Sequence, residues 1–233
     1  SGAQGPGGNA LYLGDKIYSN GLIGIALSGD IEVDTIVAQG CRPIGQPMKI
    51  TACQDTLLKE LDGKPTLEVL QDLNETLSDA DKKLLQTSLF LGIEMDAMKD
   101  DPKQGDFLIR NLMGVDRESQ SLAIGALLRT GQLVQFHLRD KKMSSEDLDV
   151  MLTRYLSQGH AENASGALLF SCLGRGKYLY GEANHDTNMF QDKLGKIPLG
   201  GFFCNGEIGP VGNATFLHGY TSSFGIFRKS DRT

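Results

Sequence analysis

The sequence predicts an α+β fold, made mainly of antiparallel sheets with a few flanking helices. Short apolar runs separated by turn residues such as Gly, Asp and Asn fill most of the 233 residues, which is typical of strands joined in hairpins. Helical periodicity is limited to a few segments. The two kinds of element do not alternate as regular βαβ units, so the pattern favours antiparallel pairing.

The chain opens with an antiparallel meander. Residues 11–18 read LYL-GD-KIY, two apolar runs joined by a Gly-Asp dipeptide that predicts a hairpin. LIGIAL (22–27) and IEVDTIVAQ (31–39) are predicted as the next two strands. Alternation in the second strand predicts a buried face formed by its odd-numbered residues. These residues are Ile31, Val33, Thr35 and Val37.

A Gly- and Pro-rich stretch, residues 40–47, is predicted to interrupt the sheet before another hairpin over residues 48–61. Pro65 suits the first position of a helix, and Ser78 with Asp81 resembles a capping box for a second helix. The first helix carries an apolar stripe at helical spacing. Its members are Leu67, Leu70, Leu73 and Leu77.

Strands dominate the rest of the chain, with two more helices. Ser144 with Asp147 predicts the start of a long helix that Gly159 ends, and residues 185–194 predict the second helix. The apolar runs predicted as strands are 89–95, 106–115, 121–128, 133–140, 166–172 and 198–203, followed by two strands on either side of Gly219.

Composition limits the classes of function. The formal net charge of -6 and the lack of a dense Lys/Arg block argue against nucleic-acid binding. Without an apolar run of roughly 20 residues, no membrane span is predicted. The four cysteines lack metal-ligand spacing and predict free thiols in a reducing compartment. We therefore expect a soluble, intracellular protein, in the cytoplasm or in an organelle stroma if the N-terminus is a processed end.

Two strand ends place a cysteine and an arginine in a glycine-framed loop. GCRPIG contains Cys41 and Arg42, and FSCLGRG contains Cys172, Arg175 and Gly176. An arginine in such a loop offers a planar set of donors for a carboxylate or phosphate. The alternative is that each arginine binds nearby carbonyls and each cysteine fills the core. If both serve one site, their guanidinium groups should lie within about 12 Å of each other.

The segment GFFCNGEIGPVG, which begins at Gly201, is rich enough in glycine to let the backbone approach a ligand closely. Asn205 and Glu207 are its polar side chains, and we predict Glu207 to be at least half-buried and charge-paired. His218, in a later apolar strand, is either a metal or haem ligand or a hydrogen-bonded core residue. We expect no metal site and no haem, although haem bound to His218 stays possible.

Catalytic motifs are absent from the sequence. It contains no G-x-S-x-G elbow, P-loop or H-E-x-x-H helix. A Cys172 nucleophile with His218 as its base stays open, because such partners meet only in the folded chain. No catalytic residue is therefore assigned.

Several motifs occur together in one order and resemble the FIST domain family over residues 9–228. They are GCRPIG, DFLIRNLMGVD, VQFHLRD, FSCLGRG, PLGGFFCNGEIGP and FLHGYT. The family provides sensory modules of bacterial signalling proteins and occurs in some eukaryotic F-box proteins. The resemblance implies a flexible leader (1–8), the last strands of a FIST N-terminal half (9–40), a FIST C-terminal domain (41–228) and a polar tail (229–233).

The resemblance also implies a non-catalytic, small-ligand-binding sensory module that signals through a protein partner. Amino-acid-like or anionic metabolites are the implied ligands, and some bacterial members resemble haem-carrying sensors. Two alternatives stay open: a structural or adaptor subunit of a larger assembly, and an uncharacterised enzyme with a Cys172 nucleophile. The predicted ligand site consists of Cys41, Arg42, Cys172, Arg175, Gly176, Asn205, Glu207 and His218.

Overall fold

The computed structural model describes residues 7–99, 101–211 and 214–230, and most of the predicted leader and tail lies outside them. It confirms the α+β class. The strands are β1 (Leu11–Leu13), β2 (Lys16–Tyr18), β3 (Glu32–Ala38), β4 (Arg42–Gln54), β5 (Leu57–Leu61), β6 (Lys64–Pro65), β7 (Leu89–Glu94), β8 (Phe107–Asp116), β9 (Ser121–Ile124), β10 (Leu133–Leu138), β11 (Ala164–Cys172), β12 (Leu199–Cys204), β13 (Glu207–Val211), β14 (Ala214–His218) and β15 (Ser222–Arg228). The α-helices are α1 (Thr66–Thr76), α2 (Asp79–Leu85), α3 (Lys141–Ser157), α4 (Lys177–Tyr180) and α5 (His185–Leu194).

The larger sheet is antiparallel and closes on itself. Its strand order is β4-β10-β7-β8-β9-β5-β6, and β4 also pairs with β5. The predicted leucine stripe of α1 packs against the apolar interior of this sheet. That interior contains Ile44, Ile50, Leu58, Leu61, Leu91, Ile93, Leu122, Ile124, Val134, Phe136 and Leu138. Closure leaves few unpaired strand edges, so we call it the closed sheet.

The smaller sheet is open and has the order β12-β11-β15-β3. β11 and β12 are parallel, which requires the crossover through α4 and α5 that connects them. The other pairs are antiparallel. Helices α3 and α5 cover one face, where Ile36, Leu152, Leu169, Phe190 and Phe224 are buried. We call this sheet the open sheet.

Two predicted strands of the meander differ in the structure. LIGIAL forms no strand, and most of its apolar side chains lie in water, with Leu22 98% exposed. In β3 the predicted buried face is the wrong one, because Ile36 and Ala38 are buried whereas Val33 is exposed. The inward face tolerates Asp34 because this carboxylate accepts hydrogen bonds from Arg228 and from Tyr155.

Two boundaries also differ from the sequence prediction. The Gly- and Pro-rich stretch after Cys41 does not interrupt the sheet but forms the first part of β4. Helix α3 begins earlier than predicted, because Asp140 rather than Ser144 is its N-cap and accepts from the backbone N–H of Met143. Ser144 and Asp147 instead contact another part of the chain, as described below.

The glycine-rich segment that begins at Gly201 is mostly strand rather than loop. It contains most of β12, a turn at Asn205–Gly206 and then β13, which pairs with β14. Gly201 is fixed by packing, since a Cβ there would overlap the carbonyl oxygen of Leu169. No helix in the described parts of the chain is long and apolar enough to cross a membrane.

Candidate functional site

Arg175 lies in the interior, between the open sheet and its helices. It is 1% exposed, and its Nε donates to Asp186 Oδ2 at 2.8 Å. Its Nη2 donates to the hydroxyl of Tyr180 at 2.5 Å, and its Nη1 donates to the carbonyl of Tyr220 at 3.3 Å. A buried guanidinium needs such partners, because leaving it unpaired would cost several kcal/mol. The structure therefore places Arg175 in a protein network rather than at a surface open to ligand.

Asp186 is the centre of this network. Besides Arg175, it accepts hydrogen bonds from Ser222 Oγ at 2.5 Å and from His185 Nδ1 at 3.0 Å. Burial alone would raise the pKa of Asp186, but the guanidinium of Arg175 and these donors lower it to about 2. The carboxylate therefore stays charged throughout the physiological range and fixes the start of α5.

His185 connects α5 to α3. Its Nε2 lies 3.1 Å from Ser145 Oγ, while its Nδ1 is held by Asp186. The imidazole also stacks on the ring of Tyr180, with centroids 3.6 Å apart. Both ring nitrogens have hydrogen-bond partners within the protein, so the imidazole is held in one orientation.

The loop between β3 and β4 is pressed against the same network. Gly40 donates its backbone N–H to Asp147 and accepts at its carbonyl from Ser144 Oγ. A Cβ at Gly40 would lie 2.8 Å from Arg175 Nη1, and the residue has φ +70°. The adjacent Cys41 is buried, and burial raises the pKa of its thiol to about 12. Cys41 is therefore a protonated core thiol.

Arg42 points elsewhere. Its Nη2 lies 2.6 Å from Asp81 Oδ1 of α2, and its side chain lines a separate cavity of about 450 Å³ with Gln104 and Asp147. Neither its carboxylate partner nor this cavity is shared with Arg175. These contacts do not support one site built from both arginines.

A cleft of about 400 Å³ lies between β12 and the start of α5, and we call it the α5 cleft. Gly176 and Lys177 line it, together with residues 199–203 and 183–187. Lys177 is exposed and forms no ion pair with any residue that the structure describes. Asn184, the N-cap of α5, has φ 63° and provides no side-chain cap. The first backbone N–H groups of α5 therefore lack an intrahelical partner at this wall.

Ser171 adds an unusual polar group to the α5 cleft. It lies on β11, is 5% exposed and lines the cleft, but its Oγ has no hydrogen-bond partner among the described residues. An unsatisfied buried hydroxyl costs about 1–3 kcal/mol, so such groups are rare unless a ligand or water satisfies them. Lys177, the helix N-terminus and this hydroxyl together form a site suited to an anion.

Glu207 and His218 face each other in the β13–β14 hairpin. Glu207 is 1% exposed, so its predicted burial is confirmed. It accepts from Thr221 Oγ1 at 2.8 Å, but no described cation lies within ion-pair distance, so it is not charge-paired. Burial raises the pKa of Glu207 and lowers the pKa of His218, whose Nε2 binds the carbonyl of Gly209. Asn205 lies in the exposed turn before Glu207.

Cys172 lies next to Cys204 across the parallel β11–β12 pair, and both thiols are buried. The sulfur of Cys172 accepts from the backbone N–H of Gly174. No described hydrogen bond joins Cys172 to His218, which is held at Gly209 instead. The geometry needed for a Cys172 nucleophile with a His218 base is therefore missing from the described contacts.

Of the predicted site residues, only Gly176 lines the α5 cleft. Arg175 does not line it but forms an ion pair with Asp186, which does. Sequence reasoning missed Ser171, Lys177 and the first turn of α5. The predicted helix 185–194 indicated where a helix N-terminus lies, but the sequence did not indicate that it is uncapped, because Asn184 is a favourable N-cap residue. The orphaned hydroxyl of Ser171 has no sequence signature.

The chain matches the family models of the FIST N domain over residues 1–64 and the FIST C domain over residues 67–210. It is 38% identical to an uncharacterized protein of Mycobacterium bovis over 227 residues, covering 97% of this chain and 58% of that protein. An uncharacterized protein of Mycobacterium tuberculosis is 37% identical, with 97% and 59% covered. An F-box/LRR-repeat protein of Arabidopsis thaliana is 24% identical, with 83% and 42% covered. The chain thus spans less than two thirds of these relatives.

Proposed function

The chain belongs to the FIST family, and we propose that it is a non-catalytic sensory module that binds a small anionic or amino-acid-like ligand in the α5 cleft. FIST domains are associated with sensory signalling. The observation that supports the proposal is the buried hydroxyl of Ser171, which has no hydrogen-bond partner among the described residues. It lies in a cleft that also contains Lys177 and an uncapped helix N-terminus.

The chemistry of the α5 cleft favours a carboxylate or phosphate. Backbone N–H groups at a helix N-terminus and an ammonium group attract negative charge, and a serine hydroxyl donates a further hydrogen bond. Asp186 also lines the cleft, but its oxygens already accept from Arg175, Ser222 and His185. It therefore repels an anion less than a free carboxylate would.

The network behind the cleft suggests how binding would reach a partner. A ligand at the start of α5 contacts His185, and His185 is bonded to Ser145 of α3. Helix α3 in turn holds Gly40 through Asp147, at the point where the chain passes to the closed sheet. We propose that a separate protein partner receives the signal. The compartment that we propose is the cytoplasm.

Calorimetric titration with N-acetyl-leucine and with N-acetyl-leucinamide tests the proposal. The two probes differ only in the carboxylate, so we expect the acid to bind and the amide to bind about tenfold or more weakly. Lys177→Ala should weaken binding of the acid, whereas Lys16→Ala on the exposed strand β2 should not. Equal binding of both probes, or an unaffected Lys177→Ala variant, would contradict the proposal.

Haem is not part of the proposed mechanism. The candidate axial ligand His218 is buried, with Nε2 at the carbonyl of Gly209. Absorption spectra of protein purified from its own source test this. A Soret band that is lost in His218→Ala would require haem to be added to the function.

A further inference from the structure

Strand β12 forms one edge of the open sheet. Among the strands that the structure describes, it pairs with β11 only. The carbonyls of Pro198 and Cys204 accept from Ala167 and Leu173 on that side. Backbone groups alternate in direction along a strand, so the intervening odd-numbered residues point the other way. The N–H and C=O groups of Leu199, Gly201 and Phe203 are therefore directed to the open edge. All three residues line the α5 cleft.

This edge lacks the usual protection against strand pairing. Protein edges are commonly blocked by charged side chains, proline or a covering element. The sequence of β12 is LGGFFC, with no charge and no proline, and Gly200 to Phe203 are exposed. Two glycines in succession leave the backbone accessible from the cleft. An extended chain can therefore approach close enough to add as a fifth strand.

The α5 cleft has an apolar end and an anion-binding end. Leu199 begins β12 and Leu169 is the register partner of Gly201 in its middle, whereas Ser171 is the register partner of Phe203 near its other end. The ring of Phe203 also lies 2.7 Å from the position of a Cβ on Gly176, the residue before Lys177. The polar groups are therefore next to the carboxyl end of β12.

We propose that the ligand of the α5 cleft is the carboxyl-terminal end of an extended peptide, which adds parallel to β12 and places its terminal carboxylate at the start of α5. This inference rests on the proposed function, because the same anion site binds the carboxylate. The open edge supplies main-chain hydrogen bonds that a single amino acid cannot use, and Leu169 and Leu199 favour an apolar side chain in the peptide.

Calorimetric titration with the peptide acetyl-Ala-Leu-Ala-Leu tests this, with its carboxamide form and N-acetyl-leucine as comparison probes. We expect the peptide acid to bind about tenfold or more tightly than N-acetyl-leucine, because it adds several edge hydrogen bonds. The carboxamide should bind about tenfold or more weakly than the acid.

A matched pair of variants isolates the edge. Phe203→Pro removes an outward N–H without touching the ladder to β11, a position where an edge strand tolerates proline. Phe203→Ala removes the same ring and keeps the N–H. Affinity for the peptide should fall about fivefold or more further in Phe203→Pro than in Phe203→Ala, while affinity for N-acetyl-leucine should be equal in the two variants. Circular dichroism and thermal unfolding check that both variants fold, and Leu199→Pro with Leu199→Ala repeats the test if Phe203→Pro does not.

The outcomes separate the two proposals. Tight, carboxylate-dependent peptide binding that Phe203→Pro weakens supports the inference. Equal affinities for peptide and N-acetyl-leucine, or equal effects of both Phe203 variants, would overturn it and leave the small-ligand site intact. If neither acid binds, both proposals are wrong.

Discussion

The closed and open sheets bury different kinds of side chain. The closed sheet buries a continuous set of aliphatic and aromatic side chains and pairs β4 with β5 to complete the ring. In the open sheet, one side of β12 has no partner strand among the described residues, and Arg175 and Asp186 are buried between the sheet and its helices. The comparison teaches that the closed unit is stabilised mainly by apolar burial, whereas the open unit also depends on a buried ion pair and provides the groups that can bind a ligand.

Removing the buried cation should have the largest effect on stability. Arg175→Met leaves Asp186 as an uncompensated buried charge, so the free energy of unfolding should fall by about 3–5 kcal/mol, measured by denaturant titration. The double variant Arg175→Met with Asp186→Asn removes that charge and should recover part of the loss. A loss below about 1 kcal/mol in the single variant would mean that the network carries little energy.

The closed sheet should lose stability without losing the site. Leu91 is fully buried in β7, so Leu91→Ala should cost about 2–5 kcal/mol by opening a cavity. Binding of N-acetyl-leucine should stay within about twofold of wild type. Met113→Ala, at a 69% exposed position of the same sheet, is the control and should change stability by less than about 0.5 kcal/mol. Reduced binding in Leu91→Ala would show that the two sheets are coupled.

Acid should weaken the open sheet specifically. The pKa of Asp186 is about 2 when folded, against an ordinary value of 3.8, so its stabilisation is complete above about pH 4 and is lost as the pH falls towards 2. This lowered pKa corresponds to about 2 kcal/mol. Asp186→Asn should flatten that part of the stability profile, measured by denaturant titration between pH 2 and 5. An unchanged acid profile in the variant would assign acid sensitivity to other carboxylates.

The smallest expected change in stability is the most informative about the α5 cleft. Ser171→Ala removes a hydroxyl that has no hydrogen-bond partner in the described parts of the chain, so the free energy of unfolding should stay the same or rise by up to about 1 kcal/mol. Affinity for N-acetyl-leucine should fall about two- to tenfold. Ser157→Ala, whose hydroxyl binds the nearby carbonyl of Arg154, is the control and should leave affinity unchanged. A clear loss of stability in Ser171→Ala would show that the hydroxyl is satisfied in the empty protein.

Local features of this fold could be predicted from the sequence. The hairpin over residues 11–18, the cap at Ser78 and helix 185–194 all occur as predicted, because each depends on neighbouring residues. LIGIAL shows the limit of this approach, since an apolar run forms a strand only where another strand is available to pair with it. The residues of LIGIAL alone do not indicate whether such a pairing strand is available.

Long-range choices could not be predicted in the same way. Asp140 and Ser144 are both acceptable N-cap residues for α3. The hydrogen bond from the hydroxyl of Ser144 to the carbonyl of Gly40 decides between them. The burial of Glu207 could be predicted from its apolar surroundings, but its partner Thr221 could not. Arg175 was predicted to bind a ligand, but in the structure it pairs with Asp186, and this pairing depends on how β11 and α5 pack.

Gly40 is a position at which few substitutions are compatible with the fold. Any larger residue would have to displace Arg175 and Ser144 and also adopt a backbone conformation that L-amino acids rarely use. In a library with every substitution at residues 30–50, selected for folded protein, Gly40 should therefore be the position with the fewest surviving alternatives. Val33, whose side chain lies in water on the other face of the preceding strand, should accept many.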